Sequence, residues 1–309
     1  MTFLALVAAL LLEQLRALSP ANPVYTQFRR FVRYTEHSLD AGGYQQGVVA
    51  WLLATVPLVA VVAAIALWLE ALAAPMALLF DVAALYLAMG FRQFSRAYRE
   101  THEAVRAGDL AQARASVGRW RGGGAEPLNA NECARLAIER GLFSAHRHVF
   151  GVIAWFVVFG AAGAVFYRVA ALLRDRWGYR AQGNEQFGRF SRDVFYWCDW
   201  VPVRLTAISF AITGDFEDAL YCWRTQADAW PERSEGIVLA AGAGALGVRL
   251  GSVVGTAAAP KVRPELGTGE DADAELMAAA VGLIWRALVL WLFVILLVTV
   301  ASWFGSAAA

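Results

Sequence analysis

Four stretches of the chain run apolar at every position instead of alternating, and each is close to the roughly 20 residues a helix needs to cross about 30 Å of hydrocarbon. Residues 48–69 hold no charge, and Pro57 within them reads as a kink that lipid tolerates. Residues 71–91 follow after Glu70 and a turn near Pro75, so the two stretches predict a helical hairpin. Residues 149–173 are interrupted by Gly160 and Gly163 and carry Arg168 near their end. Residues 283–304 carry Arg286 near their start. Residues 1–12 are apolar but short and end at Glu13. Without a basic stretch before them they read as a partly inserted first helix and not as a cleaved signal peptide. Two further stretches, 195–213 with Asp199 and Arg204 and 236–255 with Arg249, are expected to re-enter the membrane or to pack on its surface. The fold class is therefore all-α: a polytopic membrane helix bundle with amphipathic cytoplasmic helices.

Between these stretches the pattern changes to helical punctuation. Residues 92–107, then Gly108-Asp109, then 110–120 predict helix, turn, helix, because Gly suits the position after a helix and Asp caps the next one. Gly214-Asp215 predicts the same stop and restart. The connection from Arg92 to Arg147 contains ten Arg, which places it on the cytoplasmic face. Counting back through the hairpin puts Arg29, Arg30 and Arg33 on that face too. Counting forward through 149–173 would put the Arg-rich chain up to Arg263 outside, against the rule. Either one of the two ambiguous stretches crosses, or 149–173 does not cross fully. The organisation expected is an N-terminal membrane region over 1–91, an Arg-rich helical loop over 92–148 and a second membrane region over 149–309.

Composition supports the membrane reading. Apolar residues make up 59% of the chain and charged residues 17%, against about 25% charged in a soluble domain. The formal net charge of +1 gives no field that would draw nucleic acid. Cys133, Cys198 and Cys222 lack the spacing of a zinc site or a disulfide framework.

The candidate chemistry is sparse. Gly242, Gly244 and Gly247 match G-x-G-x-x-G, but Ala-rich flanks and the lack of a βαβ pattern favour close helix packing through small residues. His146 and His148 stand without an acid or thiol to complete a metal set. Asp81, inside an apolar stretch, is either a functional acid or one hydrogen-bonded to a neighbouring helix. Arg204 and Arg249 beside apolar runs each call for an acid or a bound anion.

From about residue 149 to 301 the chain resembles the CobD/CbiB superfamily. Tyr167-Arg168 followed by Gly178-Tyr179 is similar to the family's Y-R/K … G-Y. Pro202-Val203-Arg204-Leu205-Thr206 resembles its P-A-R-L-T, and Ser234-Glu235 followed by 243–251 resembles its S-E … A-G-A-L-G-V-x-L-G. Gly255, residues 264–267 and the Arg106 to Leu110 turn also fit. Within that superfamily the resemblance to adenosylcobinamide-phosphate synthases implies ATP-dependent joining of adenosylcobyric acid, a corrinoid, to an aminopropanol or its phosphate, with ATP and Mg²⁺. The positions where that branch carries acids hold other residues here: His146-Arg147 and Phe150, Ala171 and Arg174, and Phe195-Tyr196. The AmpE branch, linked to β-lactamase induction, is similar in its start, Met1-Thr2-Phe3 and Leu12-Glu13, and in Asp199 to Leu205. The resemblance thus implies an AmpE-like, non-catalytic regulatory or binding component of the bacterial inner membrane that does not replace a synthase, with the synthase as the alternative. On that reading no cofactor and no metal are expected. The partners implied are the lipid bilayer and a membrane or cytoplasmic protein, with a corrinoid substrate only under the alternative. The residues the resemblance points to for a ligand cleft are Arg168, Tyr179, Asp199, Arg204, Glu235, Gly244, Gly247 and Arg249, with Arg204, Glu235 and the Gly244 segment sharing a pocket near Phe195 or Tyr196.

Overall fold

The structure, a computed structural model, describes residues 2–15, 22–39, 43–121, 128–178, 185–254 and 261–307. Its helices are α1 (Thr2–Leu15), α2 (Pro23–Leu39), α3 (Tyr44–Leu72), α4 (Ala74–Ala88), α5 (Phe91–Arg106), α6 (Leu110–Arg121), α7 (Ala130–Ala145), α8 (Gly151–Trp177), α9 (Glu185–Thr213), α10 (Phe216–Gln226), α11 (Arg233–Leu246) and α12 (Ala274–Ala307). Three short strands, β1 (Val248–Val254), β2 (Lys261–Leu266) and β3 (Glu270–Asp271), are added to the all-α plan. Among the described residues three helical stretches are long and apolar enough to cross a membrane: Tyr44–Leu72, Ala130–Trp177 and Ala274–Phe304. The predicted span over 71–91 is shorter in the structure. Its helix α4 has 15 residues, about 22 Å of rise, because Ala73 is extended and Pro75 starts a new helix after it.

The chain divides into two compact units, Met1–Gln93 with Arg147–Val201, and Phe94–His146 with Pro202–Ala309. In the first unit α1 packs on α4, and α8 packs on both α3 and α4. The conformation of α8 differs from the sequence reading. Phe159 (φ −127°, ψ 16°) and Gly160 (φ 59°, ψ −150°) leave helical geometry, and the chain reverses there. Trp155 and Phe166 lie with ring centroids 5.0 Å apart, whereas eleven residues of straight helix would separate them by about 16 Å. A Cβ on Gly163 would stand 2.2 Å from the Trp155 carbonyl oxygen, and one on Gly151 would stand 2.2 Å from the Tyr167 hydroxyl. The two arms of α8 therefore lie against each other. The conformation of Gly160 is one that essentially only Gly adopts, so the residue that looked like an interruption of a span is the turn of a helical hairpin.

In the second unit the predicted Gly-Asp punctuation is present. Gly108 takes φ 71°, and Asp109 Oδ1 accepts from the Gln112 N–H at 3.0 Å to start α6. Asp215 caps α10 in the same way through the Asp218 N–H, also at 3.0 Å. Asn129 and Glu132 close a capping box at the start of α7. Tyr98 on α5 donates to the Met277 carbonyl at 2.7 Å, and burial pushes its phenol well above the usual range. Of the stretch 236–255, expected to re-enter the membrane or to pack on its surface, residues 236–246 belong to α11, whose side chains are buried within the protein, and residues 248–254 form β1. Gly247, with φ 64° and ψ 38°, ends the helix in the left-handed region. Strand β1 then pairs with β2 antiparallel, through an irregularity between Leu250 and Ser252, and with β3 parallel. Strand β3 lies in the polar stretch 267–273 that leads into α12.

Candidate functional site

At the open end of the α8 hairpin, three segments far apart in sequence meet. Arg147 stands four residues before the first arm, Arg174 and Asp175 end the second, and Phe195 is presented by α9. Both guanidinium groups donate to the same oxygen of Asp175, Arg147 Nη1 at 2.9 Å and Arg174 Nη1 at 3.1 Å. Both also stand over the Phe195 ring, with Cζ atoms 4.5 and 5.6 Å from its centroid. Tyr167 packs on the same ring at 5.5 Å and donates its hydroxyl to Asp199 Oδ1 at 2.8 Å. The arginine side chains are buried, at 7% and 6% exposure, while Asp175 is 55% exposed and opens the cluster to its surroundings. Trp155 Nε1 donates to the Cys198 carbonyl at 3.0 Å, which pins the hairpin to α9 beside Asp199.

Arg147, Ala171, Arg174, Phe195 and Tyr196 are positions where the sequence resemblance implies metal-holding acids, and Arg147, Arg174 and Phe195 converge here. What converges is cationic and aromatic. A divalent ion beside Asp175 would be repelled by two guanidinium groups already on its oxygen, and Mg²⁺ requires oxygen ligands. Among the described residues no group of three or more His, Cys, Asp or Glu is arranged to hold a metal ion. This cluster does not fit a protein-held Mg²⁺. Planar guanidinium groups match carboxylate and phosphate oxygens, and here both are held by the Asp175 carboxylate.

A second cluster ties α7 to the small sheet in the other unit. Glu139 receives Arg263 in a bidentate pair at 2.7 and 3.1 Å, and the Gly251 N–H at 2.8 Å. The Arg263 guanidinium also covers the Trp230 ring at 5.1 Å. Arg135, one turn earlier on α7, reaches the Gly251 carbonyl at 3.3 Å and Asp271 at 3.8 Å. The sequence reading missed Glu139. The available signal was a single acid on the helix face that buries Ala134, Ile138 and Leu142, since a carboxylate there must be paired.

The residues expected to line a cleft are distributed as follows. Arg168 and Asp199 belong to the first unit, and Arg204, Glu235, Gly244, Gly247 and Arg249 to the second. Tyr179 lies outside the described residues. Arg168 donates to Tyr25 Oη at 3.3 Å and to His148 Nδ1 at 2.7 Å. Arg204 is half-buried on α9, and half-buried Glu235 in the first turn of α11 is within electrostatic reach of Glu139. Gly244 packs against backbone: a Cβ there would stand 2.3 Å from the Asp218 carbonyl oxygen, so α10 and α11 approach through it. Gly247 is the cap of α11, and the Gly242-to-Gly247 match is a packing face and helix end. Arg249 pairs with Asp271 at 3.2 Å. His146 Nδ1 bonds Thr206 Oγ1 at 2.9 Å. The Cys222 thiol lies 4.0 Å from Thr268 Oγ1, and burial pushes its pKa up.

With this geometry in hand, comparison with known proteins is informative. A family model described as CobD/Cbib protein matches residues 2–284. Among curated relatives, the "Cobalamin biosynthesis protein CobD" of Stutzerimonas stutzeri (strain A1501) is 36% identical over 298 residues, covering 95% of this chain and 97% of that protein. The protein of the same name from Chromobacterium violaceum is 36% identical over 242 residues, covering 78% and 72%. That from Mycobacterium tuberculosis (strain ATCC 25618 / H37Rv) is 27% identical over 191 residues, covering 60% and 61%. No solved structure matches the chain. These relatives overturn the expectation of an AmpE-like regulatory component. That expectation weighed a few local stretches, chiefly Asp199 to Leu205 and the missing acids, whereas the similarity to proteins named for cobalamin biosynthesis runs nearly end to end.

Proposed function

The chain belongs to the CobD/CbiB family, and on that premise we propose that it acts in cobalamin biosynthesis as an amide-forming synthase. It joins the carboxylate of a corrinoid, adenosylcobyric acid, to the amine of an aminopropanol or its phosphate. Amide formation from a carboxylate and an amine must expel one carboxylate oxygen, and ATP accepts it: the amine nitrogen bonds to the acyl carbon and the oxygen leaves with phosphate. The observation that carries this reading is the near-complete overlap, at 36% identity, with a relative named for that pathway. The cluster at the hairpin mouth supports it, because the corrinoid carboxylate and the phosphates of ATP are anionic and Arg147 and Arg174 are the cations that would orient such a group there.

The same reading makes the chain a multi-pass protein of the bacterial inner membrane. Helices α3 and α12 are the longest spans, and α4, packed on α3, returns the chain to the face on which α2 lies. Neither arm of α8 matches the roughly 30 Å core: residues 151–159 before the turn rise about 13 Å and residues 161–177 after it about 25 Å. The hairpin therefore enters and leaves by one face, and the Arg-rich chain on either side of it stays cytoplasmic, which removes the conflict with the positive-inside rule.

Complementation tests the activity. In a strain lacking its adenosylcobinamide-phosphate synthase and dependent on adenosylcobyric acid, expression of this chain restores growth, and Arg147→Ala abolishes the rescue. No rescue by wild-type protein shown to be in the membrane at normal levels would overturn the proposal.

A further inference from the structure

Helix α2 divides its side chains between two hollows in the first unit. Phe31 and Tyr34 line an apolar groove of about 930 Å³. Thr26, Arg29 and Arg33 line a separate, smaller hollow of about 480 Å³, whose other wall is Leu172, Asp175 and Arg176 near the end of α8. Arg29 and Arg33 are four residues apart, so both stand on one face of α2. Asp175 is the one acid among the described residues that line this hollow. It is also the carboxylate that holds Arg147 and Arg174, so the hollow opens onto the cluster at the hairpin mouth.

The charges around the hollow separate into matched and unmatched ones. Arg176 pairs with Glu36 at 3.0 Å. Arg147 and Arg174 share Asp175 Oδ1, and Asp199 lies within electrostatic reach of Arg147. Arg29 and Arg33 are exposed, and among the described residues neither forms an ion pair or hydrogen bond. The second oxygen of Asp175, Oδ2, likewise accepts no hydrogen bond from the described residues, and the side chain is 55% exposed. One small hollow thus offers two unmatched guanidinium groups and one open carboxylate oxygen.

We propose that this hollow is the subsite for a short aminoalkyl phosphate, with its phosphate on Arg29 and Arg33 and its ammonium group on Asp175 Oδ2. The inference rests on the synthase reading only for the ligand's role, as the amine that the reaction joins. A phosphate monoester carries about two negative charges at neutral pH, which matches two guanidinium groups in their fork geometry. A phosphodiester headgroup carries one, and the hollow's apolar lining of Phe28, Val32 and Leu172 offers no trough for acyl chains. An amine held on Asp175 stands beside Arg147 and Arg174, the pair proposed to orient an anionic reactant.

Titration calorimetry on the full-length protein in detergent, without ATP or corrinoid, tests the site with 1-amino-2-propanol phosphate. One molecule should bind per chain. Isopropyl phosphate, which lacks the amine, and 1-amino-2-propanol, which lacks the phosphate, should each bind about tenfold more weakly. Arg29→Gln/Arg33→Gln, two exposed positions, should lose about tenfold in affinity with an unchanged midpoint of thermal unfolding. Asp175→Asn should erase the preference for the amine. In nanodiscs, replacing phosphatidylcholine with phosphatidylethanolamine should leave the affinity unchanged. Competition by phosphatidylethanolamine would assign these charges to a lipid headgroup and overturn the proposal. So would no binding by the wild type, equal binding of isopropyl phosphate, or wild-type affinity in the double arginine variant. Growth rescue is read separately: binding without rescue removes the synthase reading and leaves the site, and rescue with wild-type affinity in the arginine variant does the reverse.

Discussion

Glu139 shows how one side chain governs local architecture. Its carboxylate is 7% exposed and holds both Arg263 and the backbone N–H of Gly251. Removing one member of a buried pair leaves the other charge unsatisfied, at a cost of about 3–5 kcal/mol. With Arg263 at 22% exposure, the lower end applies. Glu139→Gln is expected to lose about 3 kcal/mol, seen as a lower midpoint of thermal unfolding in detergent. Adding Arg263→Met should recover part of that loss, because the orphaned guanidinium goes with it. A midpoint equal to wild type in the single variant would show that the pair contributes nothing. At this scale the sequence was informative where a residue acts on its near neighbours. Asp109 and Asp215 were readable as caps because a cap bonds to a backbone N–H three residues on. The Glu139–Arg263 pair was not readable, since its partners lie 124 residues apart.

Among elements, α8 is where the apolar pattern and the fold disagree. By length and composition Ala130–Trp177 is long enough to cross, and nothing in periodicity separates a crossing helix from a folded one. The turn at Gly160 does, and it brings Gly151 against Tyr167 and Trp155 against Phe166. This predicts that cysteines introduced singly at His148 and at Arg176, at the open ends of the two arms, react with a membrane-impermeant maleimide from the same side of the membrane. Labelling from opposite sides would mean that α8 crosses. The Arg-rich loops had already pointed to this difficulty in the charge count. Local reading was weaker at 236–255, where Gly and Ala suggested a membrane-hugging stretch. The strand that follows Gly247 forms because β2 and β3 supply its hydrogen-bond partners, and such partners are invisible in the segment itself.

For the molecule as a whole, the apolar surface of α3 and α12 decides where it resides. Leu53, Val56 and Val61 on α3, and Val289, Phe293, Leu297 and Val298 on α12, are exposed in the isolated chain. Lipid is the medium that covers such surface at no cost. The protein is therefore expected to stay in the pellet through carbonate and high-salt washes and to leave it only with detergent. Recovery in the aqueous wash would rule out a spanning protein. The sequence by itself determined the membrane class, the Gly-Asp helix boundaries and the family, because these rest on composition, on contacts a few residues long and on an ordered set of motifs. Only the tertiary structure decided that residues 149–173 fold back, that Gly244 serves helix packing, and that Arg147, Arg174 and Phe195 share one cluster. Each of these depends on contacts between segments distant along the chain. The physical reason is that neither hydropathy nor motif spacing carries the direction a chain takes after a glycine, and that direction sets which side chains meet.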